Sequence, residues 1–209
     1  MMPRNLRLTT EGWEQLMAKF GLHSLCDTHS ALINSYSEKH RAYHTLGHID
    51  ACFHHLDTVA EQAEHPHEIE LALWFHDVVY DPFSSSNEED SAALAKQFLT
   101  ENNIDVACVD RIYDLIILTK DHQSPATVDA RIMLDVDLSI LGSSPVIYAQ
   151  FEKDVRQEYQ QVPSSIFREK RKEILQSFLD RPRLYHTPYF FDRLERQAKE
   201  NLSLAIDTL

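Results

Sequence analysis

The sequence predicts an all-α protein, a single-domain bundle of roughly nine or ten helices, from apolar residues that recur at intervals of three and four along most of the chain. Glycine and proline are scarce, four and eight in 209 residues, which leaves little material for strands joined by tight turns. Weak β-branched clusters near Val78 and Ile116 are better explained by helical periodicity. The length fits one large domain over residues 1–209, and a hydrophobic share of 43% is enough for a sizeable core.

Taken in order, Thr9 and Thr10 ahead of Glu11 suit a helix start, with Trp13, Leu16, Met17 and Phe20 on one face and Gly21 as the stop. Leu25, Ala31, Leu32 and Ile33 mark a second helix ending near Tyr36 and Ser37. A third runs from Leu46 to about Ala63 on Ile49, Phe53, Leu56 and Ala60. Pro66 then suits the first turn of a fourth helix, Glu68 to roughly Val79. That helix carries Leu71, Ala72, Leu73, Trp74, Phe75, Val78 and Val79, so it is apolar nearly all round and must be central.

Ser86 and Glu89 form a capping-box pattern opening a fifth helix through Phe98 and Leu99. Asp105 caps a sixth, whose buried stripe is Val109, Ile112, Leu115, Ile116 and Thr119, with His122 near its end. A short seventh lies around ARIMLDVDLSILG and closes at Gly142. Ser144-Pro145, Pro163 and Thr187-Pro188 open the last three helices.

The formal charge of −13 opposes attraction to nucleic-acid polymers or anionic lipid. It leaves room for a small anionic substrate, because a bound divalent cation reverses the field locally. Cys26, Cys52 and Cys108 lack CxxC spacing, so neither a zinc knuckle nor a disulfide framework is indicated. No apolar run reads as a signal peptide or a membrane span, and a cytoplasmic location is expected.

Chemistry concentrates in one stretch: seven of the twelve histidines lie between His44 and His76. His44 and His48 are four apart, a spacing that on a helix puts both on one face. His76 and Asp77 interrupt an apolar run, and a carboxylate buried there has to be paired or bound to a metal, unless Asp77 caps a neighbouring helix. Asp135 and Asp137 stand in a second apolar run, two apart, so at most one should reach the same centre. Imidazoles and carboxylates from three helices are how metal sites in bundle cores are made.

HxxxH, then HD on an apolar helix, then an Asp some sixty residues on resembles the HD superfamily of metal-dependent phosphohydrolases. YHTLGHIDACFHHL, ALWFHDVVYDP, NEEDSA, DVDLSILG and VRQEY closely resemble a bacterial family described as predicted HD phosphohydrolases, a likeness running from about Tyr43 to the end. More distantly, YHTLGHIDA is similar to the YHNxxHAxD segment of cyclic-nucleotide phosphodiesterases, whose first His donates a proton and whose second binds metal. Their ADLS segment, with its metal-binding Asp, resembles Val136-Asp137-Leu138-Ser139.

Carried over, these resemblances imply His48, His76, Asp77 and Asp137 as ligands of one or two divalent ions, with His44 as general acid. Manganese, iron, cobalt, zinc and magnesium are not distinguished. A second registration, from HD proteins reading HSLGV, makes His44 the ligand instead. Where the phosphodiesterases continue HDxxHPG this chain has Tyr80 and Asp81, a departure that counts against a cyclic-nucleotide substrate.

Glu88 and Glu89 are candidates to orient water or hold a second ion, or else first-turn acids favoured by the helix dipole. His122, Arg156, Tyr159 and Arg171 are candidates for substrate binding, Arg being suited to bidentate phosphate contacts. The implied activity is hydrolysis of a phosphate ester of a nucleotide or similar small metabolite. A nucleotide-sensing module and a purely structural metal site are the alternatives.

Overall fold

A computed structural model describes residues 6–23, 25–123 and 125–209. Among them it contains ten α-helices and no strand, as the periodicity predicts. The helices are α1 (Thr10–Lys19), α2 (Cys26–Ser35), α3 (Leu46–Asp57), α4 (Pro66–Phe75) and α5 (Asn87–Glu101), then α6 (Val106–Leu118), α7 (Val128–Asp137), α8 (Pro145–Glu158), α9 (Ser164–Leu179) and α10 (Pro188–Thr208). Their packing divides the chain into two units, Met1–Met133 and Leu134–Leu209, with the division inside α7. No single helix among the described residues is long and apolar enough to cross a membrane.

The first unit is built on α4. Its Ile69, Leu71, Ala72, Leu73 and Trp74 are wholly buried, against α1, α3, α5 and α6. Trp74 meets Trp13 edge-on at 5.7 Å and Phe53 at 5.6 Å, and Phe75 stacks on Phe98 at 5.5 Å. Each large apolar side chain so buried contributes about 1.5–3 kcal/mol, which makes α4 the strongest apolar anchor of the unit. Buried Glu68 holds α6 alongside through a paired bond to Arg111, Nε to Oε2 at 2.8 Å and Nη2 to Oε1 at 2.7 Å.

Most helix starts follow their cap residues. Thr9 accepts from Gly12 N, Thr45 from Gly47 N, Asp105 from Ala107 N and Thr187 from Phe190 N. Gly21 ends α1 with φ 71°, the left-handed stop expected of it.

Several local expectations fail, the first of them the length of the third helix, which ends at Asp57 rather than near Ala63 and is followed by a separate 3₁₀ turn, Ala60–Gln62. The Ser86–Glu89 capping box does not form: Ser86 Oγ donates to Asp90, and Glu89 is ion-paired with Lys120. The fourth helix ends at Phe75 rather than Val79, because the Asp77 and Val78 carbonyls accept from Arg41 and Val79 N donates to Ser91 Oγ. Gly142 closes a short 3₁₀ stretch, Leu138–Gly142, that follows α7, but without a left-handed φ. It is needed for space, since a Cβ there would stand 2.5 Å from Leu194 Cβ on α10.

Within the second unit, α10 packs on α9 and on that 3₁₀ stretch. Tyr185 OH donates to Leu138 O, and Asn201 Nδ2 donates to the carbonyls of Leu141 and Ser143.

Candidate metal centre

Two chain segments of the first unit make the centre. One is the approach to α3, where Thr45 caps the helix so that His48 falls in its first turn. His44 therefore precedes the helix instead of sharing a helical face with His48, yet the turn still brings the rings to 6.2 Å between centroids. The other segment is the exit from α4, where His76 occupies the C-terminal cap position and Asp77 follows it.

His48 Nε2 stands 3.2 Å from His76 Nε2. Asp77 Oδ2 lies 3.0 Å from His76 Nε2 and 3.7 Å from His48 Nε2. Two nitrogens that share a tetrahedral ion at about 2.0–2.1 Å stand about 3.3 Å apart, so this pair already has the separation a metal requires. His76 Nδ1 is 2.9 Å from Leu73 O, which fixes the tautomer with Nδ1 protonated and leaves a lone pair on Nε2. His48 Nδ1 is likewise engaged, 3.0 Å from the Tyr43 hydroxyl. Two Nε2 atoms this close, each ring oriented from its far side, make a donor set suited to a divalent metal. His48 and His76 can hold such an ion.

Electrostatics agree with that reading. Burial pushes the Asp77 carboxyl up, but the His76, His44 and His48 rings around it outweigh burial and hold it below the usual carboxylate range. Asp77 is thus an anion ready to share a cation. Both histidines are buried, whereas the Asp77 side chain keeps 20% of its surface open. His44 is half-buried, with its ring 4.3 Å from that of Tyr80.

No protein-family model, curated protein or solved structure matches this chain.

The remaining sequence candidates lie on α5 to α9 or at their ends. Asp137 is the last residue of α7 and is half-buried. Its neighbour Asp135 is fully buried and accepts from His186 N, Thr187 N and Thr187 Oγ1, each at 2.7 Å, at the start of α10. A role at a helix start, of the kind weighed for Asp77, thus falls to Asp135. Glu88 sits half-buried in the first turn of α5, while Glu89 is paired with Lys120, whose Nζ also donates to Ser85 O at 2.9 Å.

His122 lies past the end of α6 with φ 53°, its N–H returning to Leu118 O at 3.0 Å. Arg156 donates to the carbonyls of Tyr159 and Val162 beyond α8 and lies over the Phe167 ring. Tyr159 is the C-terminal cap residue of α8, and its ring stands 6.0 Å from that of Phe167, the ring over which Arg156 lies. Arg171 makes a two-bond pair with Glu152, at 3.0 and 2.8 Å. Both arginines thus hold the second unit together.

Sequence reasoning missed the groups that hold the centre in place. Tyr43 orients His48, and Asn87 exchanges two bonds with the Asp81 backbone, at 3.0 and 2.9 Å. Ser91, wholly buried, accepts from Val79 N at 3.1 Å. Arg41 bonds to three carbonyls of the two motif segments. Tyr43 lies inside the YHTLGH motif and Asn87 and Ser91 inside NEEDSA, whereas Arg41 had only its adjacency to YHTLGH as a signal.

Proposed function

We propose that this protein is an HD-type phosphohydrolase that uses a divalent metal to cleave a phosphate ester of a nucleotide or similar small metabolite. The observation that carries the reading is the 3.2 Å approach of His48 Nε2 to His76 Nε2 with the Asp77 carboxylate beside them. Asp137 completes the ligand set on the strength of the motif resemblance. A bound divalent ion there supplies Lewis acidity and brings the pKa of water toward neutrality, about 7 in favourable zinc sites.

The chain's own groups do the rest. His76, with Nδ1–H donated to Leu73 O, presents Nε2 in the ligating tautomer. His44 is half-buried beside the two ligand histidines, where its imidazole can protonate a leaving oxygen. The partial exposure of Asp77 favours a centre that admits a substrate over a closed structural site.

The test is a panel of phosphomonoesters and phosphodiesters with added manganese. Metal-dependent turnover that is lost in Asp77→Asn, with helicity retained, is the expected result. Nucleotide binding without turnover under any metal makes the protein a sensor, and metal binding without either makes the site structural. His44→Gln is expected to keep the metal and lose about 10²–10⁴-fold in rate. Loss of metal in His44→Gln but not in His48→Gln would select the second registration.

A further inference from the structure

The two motif segments, one leading into α3 and the other leaving α4, are both bonded by the side chain of Arg41. Arg41 is buried, with none of its side-chain surface open, and its guanidinium is fully engaged. Nη1 donates to His44 O at 3.2 Å and to Asp77 O at 2.7 Å, and Nη2 donates to Val78 O at 2.9 Å. Nε donates to Glu38 Oε2 at 3.0 Å. The group lies between two rings, 5.2 Å from that of Tyr36 and 5.3 Å from that of Tyr80.

We propose that Arg41 is a positioning residue for the metal centre, setting the separation between His48 and the His76–Asp77 pair and through it the affinity for the ion. This rests on the metal centre proposed above. His44 O lies one residue before the cap of α3, so holding it fixes where His48 enters. Asp77 O and Val78 O lie just past α4, so holding them fixes the turn that carries His76. Any shift of one segment past the other has to break a bond to a buried cation.

Arginine is required by geometry. Three carbonyls in different directions are met by a rigid planar fork, and an ammonium presents only a point charge. The carbonyls beyond α4 also carry the negative end of its dipole, which offsets the burial of a positive group better than the half-exposed Glu38 alone can. Tyr36, whose phenol burial and the Asp77 carboxylate keep protonated, donates to Trp74 O at 3.0 Å and anchors one face of the stack to the core helix.

The experiment uses the full chain, wild type and Arg41→Lys, with two readouts. Amide exchange in the metal-free protein is expected to accelerate about tenfold at Thr45, His48, Val78 and Val79, while amides of α6 and α10 stay at wild-type rates. Cobalt affinity, followed by visible absorption, is expected to fall about tenfold or more. Glu38→Ala removes only the tether on Nε and covers the case in which Arg41 variants do not fold. It is expected to give the same local pattern, with cobalt affinity lower by about two- to threefold.

Wild-type exchange at those four amides, or uniform acceleration over every helix, overturns the proposal, as does unchanged cobalt affinity in a folded Arg41→Lys. A wild-type protein that takes up no cobalt, combined with local acceleration in Arg41→Lys, removes the metal reading and leaves the positioning role standing.

Discussion

Asp135→Ala is the substitution whose cost can be worked most completely from the structure. The carboxylate has no exposed surface and accepts three hydrogen bonds of 2.7 Å, from His186 N, Thr187 N and Thr187 Oγ1. Thr187 in turn caps α10 through Phe190 N. Bonds to a charged acceptor contribute about 1.5–3 kcal/mol each, so three amount to about 5–9 kcal/mol gross. Against this stands desolvation, which raises the Asp135 pKa from 3.8 to about 6 despite the bonds from His186 and Thr187. At about 1.4 kcal/mol per pKa unit, keeping the charge at pH 7 costs about 3 kcal/mol.

The net expectation is a loss of about 4 kcal/mol in urea unfolding, or roughly 8–16 °C in Tm for a chain of this size. Asp137→Ala, two residues on and half-exposed, is expected to change stability by less than about 1 kcal/mol. A loss below about 1 kcal/mol for Asp135→Ala would refute the assignment of this carboxylate to the start of α10.

The same group sets a pH dependence. Its folded pKa lies above the unfolded value, so its stabilisation is fully present below pH 3.8 and is lost as pH rises through about 6. The penalty of Asp135→Ala is therefore expected to be larger at pH 4.5 than at pH 7, by about 2 kcal/mol, in paired urea titrations, and the opposite slope would reject the desolvation argument. Gly142→Ala is expected to cost about 1–3 kcal/mol by the same assay. Leu194→Ala should not rescue it, because the atoms a new Cβ meets, Leu194 Cβ at 2.5 Å and Leu194 O at 2.9 Å, remain in alanine.

Local rules were enough for the existence of the helices and for their order, because period and caps act within a few residues. The apolar fourth helix declared itself central, and Thr9, Asp105 and Thr187 each cap the helix they precede. The motif histidines and Asp77 were likewise legible, since their residue types are costly in an apolar run without a purpose.

Asp135 and Arg41 stayed hidden for one physical reason: the deciding bonds go to main-chain atoms far away in sequence. Asp135 meets N–H groups 51 and 52 residues on, and Arg41 meets carbonyls 36 and 37 residues on. Side-chain patterns encode which face of a helix is apolar, but every residue has the same carbonyl and N–H, so the sequence does not mark which of them will need a partner. That need arises where a helix stops early, and α4 stops early at the one place where its last residues carry the chemistry. The last four carbonyls of a helix, and those of the turn just beyond it, have no partner in the helical ladder, so Asp77 O and Val78 O need donors from elsewhere and Arg41 supplies them. The early end of α4 and the placing of His76 and Asp77 thus meet at one buried guanidinium, which bonds the carbonyls just past the helix.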